Sequence, residues 1–460
     1  RSSRSEPAGR GSRWYSYQTL LDHERNPVPD ALREDTQPEL EPAPLSAERY
    51  TSQEFFDLEV EKVWKKTWQM ACRVSQLRRP GDHYVYDIAH LSILIVRTDD
   101  DELKAYYNSC LHRGRRLAER PGRFDGAIVC PFHGFRWELN GKFRGTPCPW
   151  DFKHLDRNSL SLPEVRVDTW GGWVFVNMDP DCGSLADQLG ILPAHFERYD
   201  PENRYVTMHV EKIVRCNWKV ALEAFVESFH AWVTHPQIMS YQGIDNSQYD
   251  IWGDNVSRSI TPLGVINPGH IDELTIQDTL NEVMRHPPEL DGVSRSPTLD
   301  EQLTARRLLA DHARESYRRE TGKDLSATAT DAEMVDAILY LAFPNFAPWV
   351  SYAPTFTYRH RPYGRHVDLC VMDIYMLAEM PEGVARLADT KTVRLGPDDK
   401  FTDTRAMPPR LAEIFEQDNR NMPEVQRGME TSLTGTLQYA AYQEVRIRHF
   451  HRTLDKYLNA

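Results

Sequence analysis

The 460-residue sequence predicts an α+β protein, in which a small all-β domain precedes a larger domain of antiparallel sheet and helices. Two observations carry that reading. From about Gln69 to Asp179 the chain offers short β-rich runs, among them Ser92-Ile-Leu-Ile-Val-Arg97 and Gly172-Trp-Val-Phe-Val-Asn177, separated by Gly, Pro and Asp turns. Beyond Pro180, helical periodicity near 217–233, 298–321, 331–342 and 408–430 alternates with strand candidates at 205–215, 349–360 and 366–378. A chain of this length can bury two or three cores.

In chain order, residues 1–45 read as an N-terminal arm rather than a domain. Prolines 27, 29, 38, 42 and 44, set among acids, favour extended or disordered backbone. Residues 46–68 form a helical lead-in packing on the larger domain, with Phe55, Phe56, Val60, Val63 and Trp64 on one face. The small β domain spans 69–179 and the larger one 180–460. Within the latter, Thr298-Leu-Asp-Glu301 resembles a capping box opening a helix to 321, and Gly322 is its stop. Residues 270–342 read as helices inserted over the sheet. No internal repeat is present.

Composition narrows the functional classes. Apolar content of 40% and charged content of 27% are those of an ordinary globular protein. No run of 18 or more apolar residues offers a membrane span, and the polar, arginine-rich Arg1–Arg13 stretch is not a secretory signal. A net charge of −13 argues against a general nucleic-acid binder. Seven scattered cysteines are not a disulfide framework. They fit a reducing cytoplasm with some thiols reserved for metal.

The chemistry begins with Cys110-Leu-His112 and, after 17 intervening residues, Cys130-Pro-Phe-His133. Two thiolates can hold one iron of a [2Fe–2S] cluster while two neutral imidazoles hold the other and raise its potential. Gly114, Pro131 and Gly134 supply turn geometry for two similar loops. With 17 histidines in 460 residues, two cysteines each meeting a histidine at such offsets is roughly a one-in-a-thousand coincidence, which disfavours unrelated residues. A Cys₂His₂ zinc site is the stronger rival. It usually groups paired cysteines and then paired histidines, whereas here the types interleave.

A second set lies on the predicted 217–233 helix. His230 and His235 are five apart, so a loosened helix after His230 would let both reach one metal, and Pro236 is compatible with an ending there. Taken alone, the pair is a weak signal and reads more readily as two polar residues on a half-buried helix. Glu227, three residues before His230, shares its helical face, and the plain alternative is a solvated acid; Glu223 nearby has no assigned role. Arg113, Arg115, Arg116, Arg120 and Arg123 cluster about the first Cys/His loop. They either steer an acidic redox partner or neutralise the cluster and pair with Glu119 and Asp125. Phe225, Phe229, Trp232, Phe343, Phe346 and Trp349 are candidates for a hydrophobic pocket or simply core.

Cys110-Leu-His-Arg-Gly-Arg-Arg-Leu117 and Cys130-Pro-Phe-His-Gly-Phe-Arg-Trp137 resemble the Rieske signature of ring-hydroxylating oxygenase α subunits. The family often has Arg where Leu111 stands, Tyr at Phe132 and Trp at Phe135. Asn217-Trp-Lys … Glu227-x-x-His230-x₄-His235 is similar to its second motif. Phe415-Glu-Gln-Asp418-Asn-Arg-Asn-Met422 is similar to the helix carrying its ligand Asp. The resemblance implies a Rieske [2Fe–2S] domain set into a helix-grip catalytic domain, with the cluster on Cys110, His112, Cys130 and His133. It implies Fe(II) on His230, His235 and Asp418, with Glu416 and Asp403 as lesser candidates for the carboxylate; such a triad leaves three sites open. By the same resemblance, Glu227 would link His230 to His133 of a neighbouring chain in a head-to-tail trimer, with or without a small β subunit. The implied reaction uses O₂ and electrons from NAD(P)H, delivered by a reductase and in some members a ferredoxin. The leading substrate is an aromatic or other apolar ring compound, hydroxylated or dihydroxylated. The runner-up is N- or O-demethylation, or oxidation of a quaternary ammonium compound, a reading that Glu at 227 favours. From another class, a Rieske electron carrier without an oxygenase site is the alternative.

Overall fold

The structure, a computed structural model, describes residues 14–460. An antiparallel seven-stranded sheet takes its strands in the order 69–73, 173–177, 164–170, 103–107, 91–97, 82–88 and 122–123. The run Leu91–Arg97 shows why its sequence is almost continuously apolar. Ile93 and Ile95 enter the main core, while Leu94 and Val96 enter a second core with Ile128, Phe135 and Trp137. Side chains alternate across a strand, so a strand buried on both faces has no polar side. A short three-stranded sheet of residues 128–129, 136–137 and 143–145 sits on that second core.

The larger domain is built on a five-stranded sheet in the order 347–348, 355–362, 370–379, 204–214 and 393–395. Its central pair runs antiparallel from Arg204 opposite Glu379 to Val214 opposite Cys370. A second sheet joins strands 248–252, 256–261 and 337–342. Helices Pro409–Glu430 and Val445–Asn459 pack against the core through Phe415 and Met422 and through Ile447 and Phe450. The capping box at Thr298 and Glu301 opens the Leu299–Thr321 helix, and Gly322, at φ 81°, closes it in the left-handed region that glycine adopts without strain.

Three expectations are corrected. The helix at 331–342 covers only Asp331–Val335; Ala337–Ala342 is instead a strand paired with Val256–Thr261. Asp336 marks the switch, its carboxylate taking both Nη1 (2.6 Å) and Nη2 (2.8 Å) of buried Arg306. The 270–342 segment therefore ends as part of a sheet rather than wholly as a helical insertion. The arm, in its described part, is anchored rather than disordered, Tyr17, Leu20, Leu21 and Leu32 being buried, while its proline-rich 34–44 stretch carries neither helix nor strand, as expected. Its charges serve the fold, Glu24 accepting from the amides of Asp331 and Ala332 and Arg25 pairing with Asp311 and Asp331. Residues 1–13 of the arm lie outside the described residues.

The lead-in contains helix Gln53–Glu59 and a wider turn at Val60–Trp64, and it explains the Asn217-Trp-Lys219 triplet. Asn217 caps the next helix by accepting from the Lys219 amide, Trp218 Nε1 donates to Glu59 (3.0 Å), and Lys219 Nζ meets the same carboxylate at 2.7 Å with both partners buried. Lys219→Met strands the Glu59 charge, and removing one partner of such a pair costs ~3–5 kcal/mol. A clear fall in melting temperature is expected; an unchanged transition would show that Glu59 is already protonated.

Candidate metal centres

The two Cys/His loops have one design. Cys110 N donates to Arg115 O (2.8 Å) and Gly114 N to Cys110 O (2.9 Å); Cys130 N donates to Phe135 O (2.8 Å) and Gly134 N to Cys130 O (3.0 Å). Gly114 and Gly134 sit at φ 75° and 71°. A side chain there would be strained, and a Cβ on Gly134 would also press on Pro147 at 3.0 Å. The second loop is the tip of the hairpin between strands 128–129 and 136–137. The loops face each other with the rings of His112 and His133 4.7 Å apart, and Phe135 stacks on His112. Cys110 and Cys130 are buried in one core, and burial raises the Cys110 thiol, with the Cys130 thiol beside it adding to the effect. Burial and then His133 disfavour charge on His112, whose Nδ1 is buried without a hydrogen-bond partner.

These donors fit a [2Fe–2S] cluster better than zinc. One tetrahedral zinc gathers its four donors within about 4 Å of one another. Among the described residues, the one set of three or more whose donor atoms fall within 4.8 Å is elsewhere; the Cys110/His112/Cys130/His133 donors spread wider, as two metals require. Of the neighbouring arginines, Arg115 pairs with Glu119, Arg116 with Asp87 and Arg123 with Asp82, while Arg113 lies over the exposed Phe132 ring.

The compact set is His230, His235 and Asp418. His235 Nε2 lies 3.0 Å and His230 Nε2 3.5 Å from Asp418 Oδ1. Each Nδ1 is taken elsewhere, His230 by Glu227 Oε1 and His235 by Gln417 Oε1, both at 2.7 Å. With Nδ1–H donating, both Nε2 lone pairs are left to face one point, the arrangement a metal-bound histidine shows. Burial disfavours charge on His230, yet Glu227 and then Asp418 outweigh it and lift its pKa to about 9. A site that draws a proton so strongly suits a cation.

The helix breaks in one place more than expected. It ends at Glu223 and resumes for one turn at Ala231–Thr234, so a break before His230 adds to the expected one after it, where His235 is non-helical ahead of Pro236. Glu227 therefore shares no helical face with His230; its Oε2 instead caps the new turn by accepting from His230 N (3.0 Å). The carbonyl freed at Val226 is taken by Arg446 Nη1 (2.7 Å), a buried guanidinium from the last helix. Asp418 reaches the histidines from the interior of Pro409–Glu430, on the face of Phe415 and Met422. Glu416 is turned away, accepting from Phe401 N (2.8 Å), and Asp403 accepts from Lys400 N (3.0 Å).

The aromatic candidates divide. Phe225 stands against Tyr358 (5.1 Å) and Phe415 (5.8 Å), and Asp418 lies close enough to Tyr358 to raise its hydroxyl pKa further, beyond the larger effect of burial. Trp349 joins that wall through Phe356 and Tyr358. Phe343 and Phe346 are core residues, whereas Phe229 is exposed. Glu223 accepts from Tyr50 (2.8 Å) and pairs with His451 (2.7 Å) in the interior. Tyr358, Gln417 and Arg446 had no local signal, since each matters only through what the fold brings to it.

A fold of Rieske domain plus mononuclear iron domain is what these sites define. The chain belongs to the ring hydroxylating alpha subunit family, whose catalytic-domain model matches residues 194–460, and a Rieske [2Fe-2S] domain model matches residues 67–156. It is similar to the carnitine monooxygenase oxygenase subunit of Escherichia coli K12, 30% identical over 46% of this chain and 57% of that one. It is also similar to the chlorobenzene dioxygenase subunit alpha of Cupriavidus sp. PS12, 27% identical over 40% and 42%. The chain thus spans about half the length of the curated relatives it matches. The solved quaternary ammonium Rieske monooxygenase CntA shares the fold, with a TM-score of 0.63 at 16% identity over 91% of this chain and 96% of that one. Among the described residues, no helix is long and apolar enough to cross a membrane.

Proposed function

We propose that the protein is a terminal oxygenase component, inserting oxygen from O₂ into a small organic substrate with electrons originating in NAD(P)H. The single observation behind this is the convergence of His230 Nε2, His235 Nε2 and Asp418 Oδ1 with both Nδ1 atoms already engaged. We assign Fe(II) to these three residues, and the [2Fe–2S] cluster to Cys110, His112, Cys130 and His133. When bound, the iron supplies O₂ activation and the cluster supplies electrons one at a time. The chain's own residues do the rest: Glu227 and Gln417 hold the imidazoles, and Phe225, Tyr358 and Phe415 form an apolar wall beside them. A reductase, in some members with a ferredoxin, delivers the electrons. A head-to-tail homotrimer would let Glu227 join His230 to the neighbouring chain's cluster.

The aromatic wall supports an aromatic or other apolar ring compound as substrate. A second reading, a quaternary ammonium compound, rests on the carnitine relative and on the same rings, whose faces also attract such a cation. Substrate-dependent O₂ uptake across aromatic acids, hydrocarbons and methylated amines separates them.

Iron counting tests the oxygenase reading against a simple electron carrier. The purified, iron-replete protein is expected to hold about three irons per chain rather than about two. Its reduced form should give a Rieske-type EPR signal, with average g below that of an all-cysteine cluster. His112→Cys should lower the potential or lose the cluster. A colourless protein with one stoichiometric zinc would refute the assignment.

A further inference from the structure

The two histidines of the proposed iron site are backed by different chemistry. His230 Nδ1 meets a carboxylate, Glu227, whereas His235 Nδ1 meets a carboxamide, Gln417, the residue next to Asp418 in sequence. Gln417 Oε1 also accepts from Gln237 Nε2 (2.8 Å), and Gln417 Nε2 donates back to Gln237 Oε1 (3.4 Å). Gln237 lies two residues beyond His235. Each glutamine thus flanks a different candidate ligand, and the two side chains clasp each other.

We infer that Gln417 is a positioning residue: it holds His235 with its proton on Nδ1 and, through the clasp with Gln237, sets His235 against Asp418. This rests on the iron-site reading above. His235 follows a single-turn helix, Ala231–Thr234, and its backbone is non-helical at φ −127° and ψ 63°, so the local fold alone does not fix its ring. A ring free to turn about its Cβ–Cγ bond would present Nδ1 or Nε2 indifferently. The Gln417 oxygen selects the Nδ1–H form, because that proton is what it can accept, and the Nε2 lone pair is left toward Asp418. Gln237 fixes which end of the amide faces the ring. A neutral acceptor does this without adding a third negative charge to the two carboxylates, Glu227 and Asp418, already at the site.

The test uses the holoenzyme with its mononuclear iron removed by mild chelation and the cluster retained. Fe(II) is titrated back anaerobically, and the EPR spectrum of the nitric oxide adduct is recorded. Gln417→Leu removes the acceptor and should weaken Fe(II) binding ~10–100-fold, the usual effect of losing such an outer partner, and broaden or shift the nitrosyl signal. Gln417→Glu keeps the acceptor and should bind Fe(II) at least ten times more tightly than Gln417→Leu. The cluster spectrum should be unchanged in both. Wild-type affinity with an unaltered nitrosyl signal in Gln417→Leu overturns the inference, as does a Gln417→Glu protein as weak as Gln417→Leu. His235→Ala separates this from failure of the iron site itself: if that variant still binds Fe(II) normally, the site assignment is wrong, whatever Gln417 does.

Discussion

Asp418→Ala is expected to abolish product formation while leaving the [2Fe–2S] spectrum intact. The carboxylate closes the site opposite two histidines that come from a segment almost two hundred residues earlier, and its Oδ1 is 3.0 and 3.5 Å from their Nε2 atoms. Two neutral imidazoles alone make a poor site for Fe(II), a metal that favours mixed nitrogen and oxygen donors. Iron content should therefore fall by about one per chain, with the cluster's share retained. The cluster loops use residues 110–133 and their own hairpin, so they do not sense the change. Glu416 is the internal control. Its carboxylate accepts from Phe401 N and faces away from the histidines, so Glu416→Gln should keep both iron and turnover. Full iron in Asp418→Ala together with loss in Glu416→Gln would reverse the assignment.

What could be read from the sequence divides by range. The cluster loops are local objects: each is closed by hydrogen bonds spanning four or five residues, and the glycines needed at positive φ stand inside them. The Leu299–Thr321 helix is equally local, its start written in Thr298 and Glu301 and its stop in Gly322. The break between Glu223 and Ala231 is not local. The residues there read as helix, and the open turn is held by Glu227 on His230 N and by Arg446, 220 positions away, on the Val226 carbonyl. Strand Ala337–Ala342 was hidden for a related reason. Six apolar residues after a capped turn suit a buried helix or strand equally, and the Val256–Thr261 partner decides between them. In the arm, Glu24 caps a short helix three hundred residues on, accepting from the amides of Asp331 and Ala332, a role no local pattern announces. Asp418 was reachable only through its resemblance to a known helix, since one acid among 68 carries no signal of its own.

Glu227→Gln should cut turnover by orders of magnitude in a protein that loads both metal centres. Glu227 is no ligand in the proposed site: Oε1 takes the Nδ1 proton of His230 and Oε2 takes the backbone amide of the same residue. Its side chain is almost buried at 7% exposed, and each carboxylate oxygen retains a further lone pair. In the proposed trimer, that remaining capacity would receive the imidazole of His133 from the neighbouring chain. Glutamine keeps the size and one acceptor oxygen, which can stay on His230 Nδ1 while the bond from His230 N is given up, so the ring and the iron site should survive. It removes the charge that strengthens hydrogen bonds to imidazole, and charge-assisted bonds are about twice as strong as neutral ones. Loss of an outer partner costs ~10–100-fold even at simpler metal sites, and here one residue would serve two centres. Glutamine also takes away a negative neighbour that favours protonated imidazole, so the pH dependence of the cluster potential should change. Stopped-flow reoxidation of the reduced cluster, with substrate and O₂ present, reads the step directly. Reoxidation at the wild-type rate in a fully loaded Glu227→Gln protein would reduce Glu227 to a cap on a turn, and the contact between subunits would have to be sought elsewhere.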